Sequence, residues 1–211
     1  MRRWISRDRY GVTSVGVASV VMLLALTISV RVVHGQSQHA DHVRWDITSL
    51  QFNTPSPGVN TINPGGVAFA FARNPSTLSI KLTGSGTFVA PQSGGPSGAV
   101  TGGGTWETFT GTSSTGRGTY SVTRLARWEF ANLQLPVNVF NIPGEGANGS
   151  ATLLIEYSDG SLGTLGVGCH GPGAPDGIVE GVTATKGYVT YWDAGAPLPG
   201  VNTNRTVFSI Q

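Results

Sequence analysis

Gly84-Ser85-Gly86-Thr87-Phe88, Gly102-Gly103-Gly104-Thr105-Trp106 and Gly116-Arg117-Gly118-Thr119-Tyr120 repeat one pattern, Gly-x-Gly-Thr-aromatic, through the middle of the chain. Side chains alternate faces along a strand, so both glycines and the ring fall on one face and the threonine on the other. In the first copy that face runs back through Leu82, Ile80 and Leu78, which makes it the water-excluded one. Glycine weakens a strand, but it permits the tight coiling that a closing sheet requires, and a neighbouring ring can cover the gap. Three such strands in succession predict a strongly curved antiparallel meander. The other use for the glycines is to open space for a ligand inside a barrel.

Outward from the repeat, period-two alternation continues and no sustained 3.6-residue apolar period occurs after the N-terminal segment. The spacing predicts strands over Arg44–Phe52, Val67–Arg73, Thr77–Val89, Ala99–Phe109, Gly118–Phe130, Ala151–Tyr157, Leu162–Cys169, Val179–Trp192 (with a break near Lys186) and Thr206–Ile210. Pro55-Ser56-Pro57-Gly58, Pro91–Gly98 and Gly195–Gly200 read as connections. Ser158-Asp159-Gly160-Ser161 is the sharpest hairpin signal, since Asp-Gly suits a type I′ turn. Leu133–Gly149 reads as a long loop with one edge strand around Val137–Phe140. The fold class expected is all-β: a single antiparallel meander β-barrel, or a closely related β-sandwich, of eight or nine strands over residues 44–211.

Residues 1–35 stand apart. Arg2, Arg3, Arg7 and Arg9 precede an uncharged run from Tyr10 to Val30, and Val33 and Gly35 suit a cleavage before Gln36. This is the pattern of a secretory signal peptide. The alternative is an uncleaved anchor, since residues 10–30 are long enough to span a bilayer core. Residues 36–43 read as a flexible lead. The expected localisation is secreted or extracytoplasmic, with membrane attachment only through an uncleaved N-terminus.

Without residues 1–35 the chain carries eight Lys and Arg against ten Asp and Glu, a net charge of −2. No basic excess remains to neutralise phosphates, which argues against a nucleic-acid partner. Charged residues make up only 11% of the chain. Cys169 is the single cysteine, so an exported fold would rest on packing without an internal disulfide.

Motif tests give little chemistry. Gly144–Gly149 and Gly166–Gly171 both fit Gly-x-Gly-x-x-Gly. The first leads into a strand and the second into Pro172-Gly173-Ala174-Pro175, so neither opens the helix a nucleotide site needs. No Gly-x-Ser-x-Gly, His-Glu-x-x-His or Cys-x-x-Cys occurs. His39, Asp41, His42, Cys169 and His170 include metal-binding types, but a shared site would need the N-terminal lead to dock; no metal and no cofactor is expected. The reactive candidates are Cys169, His170, Asp176 and Glu180. A thiolate beside a base can act as a nucleophile, yet Cys169 and His170 are strand neighbours and should point to opposite faces. A buried structural thiol is the competing reading. The carboxylate pairs Asp176 with Glu180, and Glu156 with Asp159, carry almost no specificity.

Arg124 is the anomaly of the third repeat strand, lying among Tyr120, Val122, Ala126, Trp128 and Phe130 on one alternating face. Either it marks a polar spot in a barrel lumen, or a bulge near Leu125 returns it to solvent.

Gly187-Tyr188-Val189-Thr190-Tyr191-Trp192, followed by Asn204-Arg205-Thr206-Val207-Phe208, resembles the ending of a group of uncharacterised exported bacterial β-proteins. The resemblance covers about the last two-thirds of the chain and implies no activity.

Three functions follow as expectations. The first is a non-enzymatic exported domain that binds a small, largely apolar ligand in the barrel interior or mouth, lined by Trp106, Tyr120, Arg124 and Trp128. The second is a surface or matrix component that binds glycans on Tyr188, Tyr191 and Trp192, or self-associates. The third is a small isomerase, cyclase or hydrolase using Cys169, His170, Asp176 or Glu180.

Overall fold

The computed structural model describes residues 41–52, 59–135, 140–198 and 200–211. The signal segment, residues 36–40 of the lead and most of the expected edge strand at Val137–Phe140 lie outside them. The described residues form an all-β antiparallel sheet of twelve strands without a helix. These are β1 (Asp41–Phe52), β2 (Val59–Pro64), β3 (Ala68–Ala72), β4 (Leu78–Leu82), β5 (Ser85–Ala90), β6 (Val100–Thr110), β7 (Ser113–Leu133), β8 (Glu145–Tyr157), β9 (Leu162–Cys169), β10 (Gly181–Lys186), β11 (Val189–Ala194) and β12 (Thr206–Ile210). Among them no helix is long and apolar enough to cross a membrane.

Twelve strands replace the expected eight or nine for three local reasons. Thr77–Val89 divides at Thr83-Gly84: β4 turns to β3 and β5 to β1, while both stay on β6. Val179–Trp192 divides at Gly187, whose φ of 58° makes the tight turn between β10 and β11. β2 arises in a stretch with no clean alternation and pairs with β1. The β8–β9 hairpin forms at the expected place with a different turn. Gly160 has φ 81° while Asp159 does not adopt a positive φ, and Gly160 N–H donates to the Tyr157 carbonyl at 2.8 Å. That is a type I turn closed by a glycine in the left-handed region rather than type I′.

The pairings return on themselves. From β6 the ladder runs through β4, β3, β11, β10, β9, β8 and β7 back to β6. A second circuit joins β6 through β5, β1 and β12 to β8. The three repeat strands β5, β6 and β7 are successive neighbours in the sheet. Phe88, Trp106 and Tyr120, the rings of the repeat, are all buried, while Thr105 and Thr119 are exposed. Outward threonines pair by their hydroxyls, Thr83 with Thr105 at 2.7 Å and Thr87 with Thr101 at 2.8 Å.

The interior is packed with rings rather than left open. Trp128 lies 4.6 Å from Phe208 and 5.4 Å from Phe88, and Trp106 lies 5.7 Å from Tyr157, all tilted or edge-on. The glycines make room for these rings. A Cβ on Gly118 would sit 3.0 Å from Trp106 Nε1, and one on Gly84 only 2.2 Å from Tyr120 Oη. At the end of β10, Lys186 lays its ammonium 4.1 Å from the Trp106 ring and 4.3 Å from the Tyr157 ring, and it pairs with Asp159.

Candidate ligand cleft

The residues expected to line a pocket in the interior do not come together. Trp106, Tyr120 and Trp128 are core residues. Trp106 Nε1–H donates to the Thr119 carbonyl at 3.0 Å, and the Tyr120 hydroxyl donates to the Thr83 carbonyl at 2.8 Å. Arg124 is exposed on the outer face. The reason is a pair of register shifts in β7 against β8, between Val122 and Arg124 and between Leu125 and Arg127. Leu125 takes the inward position that strict alternation assigns to Arg124 and is fully buried.

The reactive candidates fare differently. Cys169, His170 and Glu180 line a cleft of about 460 Å³ together with Thr48, Leu50, Val59, Ile62, Gln134, Pro172, Arg205 and Val207. It is bounded by the far half of β1, by β2, by the end of β9 and by the start of β12. Asp176 is exposed in the β9–β10 connection and is not part of the cleft.

Glu180 is the structural hinge of this region. One carboxylate oxygen accepts the His170 backbone N–H at 2.6 Å, and the other accepts the Thr206 N–H at 2.7 Å. One carboxylate therefore ties the exit of β9 to the entry of β12. Burial pushes its pKa above the usual carboxylate range, against the opposing pull of those N–H donors and of Arg205. Arg205 donates from Nη2 to the Leu198 carbonyl at 3.1 Å, while its buried Nε has no partner among the described residues. No ion pair forms between Arg205 and Glu180.

Cys169 is almost wholly buried, and burial, reinforced by the Glu180 charge, pushes its thiol far up. Its Sγ accepts a hydrogen bond from the Gln134 amide at 3.1 Å. His170, just past the end of β9, is exposed, with Nδ1 2.9 Å from the Ile178 carbonyl. The thiol is thus buried while the imidazole bonds elsewhere, and a thiol held neutral is a poor nucleophile. Among the described residues no three His, Cys, Asp or Glu side chains gather to hold a metal ion.

No protein-family model, no curated protein and no solved structure matches this chain. The cleft must therefore speak through its own chemistry. Its walls are apolar at Leu50, Val59, Ile62 and Val207, and its polar end holds Arg205, Glu180, Gln134 and Thr206. Two of the decisive side chains, Arg205 and Gln134, carry no signal in the sequence. Each is a single polar residue beside a strand, and only the closure of β12 against β1 and β8 gives Arg205 its place. Of the three rings expected on a glycan platform, Tyr188 and Trp192 are exposed, whereas Tyr191 is buried.

Proposed function

We propose that this protein is an exported, non-enzymatic β-barrel domain that binds a small amphipathic molecule, an apolar body carrying an anionic group, in the cleft at its open end. The barrel description rests on the two closed circuits of strand pairing. The placement at the mouth instead of the interior rests on the rings that fill the core.

The observation that carries the reading is Arg205. It lines a cleft of about 460 Å³, within the roughly 300–1,000 Å³ common for small-ligand sites, and its Nε is buried without a partner among the described residues. A guanidinium with unspent donors is costly in a half-apolar cleft unless a ligand supplies the acceptors. Glu180 does not fill that role: its oxygens accept the His170 and Thr206 N–H groups, and it forms no ion pair with Arg205. An anion entering beside Arg205 would complete the guanidinium, while Leu50, Val59 and Ile62 take the apolar body.

The test is a thermal-shift and calorimetry panel of aliphatic and aryl carboxylates, with the matching alcohols as uncharged controls. Saturable binding of acids over alcohols, lost in Arg205→Met, is the expected result. A panel with no response, or binding that Arg205→Met leaves intact, would overturn it. Export is tested by N-terminal sequencing of the protein recovered outside the producing cells, which should begin near Gln36.

A further inference from the structure

Two exposed rings belong to neither the cleft nor the core. Tyr188 and Trp192 are exposed, at 109% and 59% of their reference surface, and both line a shallow groove of about 560 Å³ with Arg73, Asn74 and Thr190. The groove runs along β11 from the hairpin turn, where Val189 pairs with Lys186, and shares no lining residue with the cleft. Neither ring packs on another aromatic or receives a cation among the described residues.

Trp192 faces outward by strand alternation next to the buried Tyr191, and a bulge at this point turns Asp193 outward as well. In β11, Tyr191 pairs with Ala72 and Asp193 with Phe71, so the register skips Trp192. Asp193 then accepts a hydrogen bond from Arg73 Nε at 2.9 Å, across the β3–β11 pair. Tyr188 follows Gly187 at the hairpin turn and stands clear of the sheet. Strand alternation and a glycine turn thus place two large rings in water, where each forfeits burial worth more than most side chains offer.

We propose that this groove is a saccharide-binding platform for a neutral glycan built of pyranoses with equatorial hydroxyls. The flat C–H face of such a ring would stack on Trp192, with Tyr188 taking the next sugar, while edge hydroxyls meet Arg73, Asn74 and Thr190 of the groove lining. The charge pattern favours a neutral ligand, because Arg73 and Asp193 compensate each other and leave no net charge for a phosphate or an anionic lipid surface. The alternation of planar rings with planar polar groups matches the two-sided character of a sugar, apolar on its face and polar at its rim.

The experiment is retention of the secreted protein on microcrystalline cellulose and on chitin, with affinity electrophoresis in soluble β-glucan. Wild-type protein is retained, Trp192→Ala loses affinity by about tenfold or more, the scale of one lost aromatic anchor, and Trp192→Tyr recovers part of it. Phe130→Ala, which removes an exposed ring on β7, leaves retention unchanged, and soluble oligosaccharide elutes the protein. The proposal is overturned if no polysaccharide retains it, if Trp192→Ala binds like wild type, or if Phe130→Ala weakens binding equally. Elution by detergent but not by oligosaccharide would overturn it as well, and would mark the rings as a protein or lipid contact. The carboxylate panel at the cleft reads a different site, so the two proposals fail separately.

Discussion

Lys186 and Glu180 flank β10 at its opposite ends, and each brings a charge to the edge of the same apolar interior. At the Lys186 end the charge is fully engaged. Its ammonium lies over two rings, pairs with Asp159 and bonds the Ser161 hydroxyl, and Lys186 holds the Asp159 carboxyl down at about 2. At the Glu180 end the carboxylate accepts backbone N–H groups, Arg205 keeps a nitrogen unpartnered among the described residues, and burial moves the carboxyl up. One end is closed by satisfied chemistry, and the other is held open by chemistry left incomplete. Under the proposed function, stability and binding fall to different ends of one strand.

The largest expected effect tests whether the interior is the ring-filled region this contrast requires. Trp128→Ala removes the indole between Phe88 and Phe208 and should cost about 3–5 kcal/mol of unfolding free energy, the range for truncating a buried large aromatic. Urea denaturation measures it. A cost under about 1 kcal/mol would mean that the interior tolerates a void, and the contrast between the ends would lose its basis.

Much of that interior was legible in advance. The Gly-x-Gly-Thr-aromatic copies identify the inward face correctly because their alternation is local and uninterrupted, and the buried rings and outward threonines follow from it. What breaks alternation is only half legible. A bulge near Leu125 is one of the two readings the sequence offers for Arg124, and the slip between Val122 and Arg124 realises it, whereas nothing marks the slip that turns Asp193 outward in β11. A slip leaves no trace in composition, since it is decided by the partner strand. The cleft was half legible. Cys169, His170 and Glu180 are unusual residue types that draw notice, whereas Arg205 and Gln134 acquire meaning only when long-range pairing delivers them.

A smaller effect separates the two ends directly. Lys186→Met keeps the apolar stem but removes the charge over Trp106 and Tyr157. Cation–π contacts run from about 0.5–1 kcal/mol when exposed to about 2 kcal/mol or more when desolvated, and the exposed side of the Asp159 pair adds little. A loss of about 1–2 kcal/mol is expected, with carboxylate binding at the far cleft unchanged. Arg205→Met should show the reverse pattern, abolished binding with stability moved by less than about 1 kcal/mol, since it removes a buried donor that nothing satisfies.

The smallest effect carries the sign of the contrast, in the pH dependence of stability. Glu180 titrates above its ordinary 4.5 in the folded chain, chiefly through burial. Between that value and the higher folded one, the folded state holds more protons than the unfolded, so stability falls as pH rises through this window. Asp159 runs the other way. Its folded value of about 2 lies below the ordinary 3.8, so its contribution is present above 3.8 and is lost as pH falls toward 2. Denaturation of wild type, Glu180→Gln and Asp159→Asn across this acidic range should therefore give two difference curves of opposite slope. The slope is the quantity to read, because Gln at 180 turns an amide N–H toward one of two backbone donors and shifts the baseline at every pH. Two difference curves sloping the same way would show that the ends of β10 do not differ in how they carry charge.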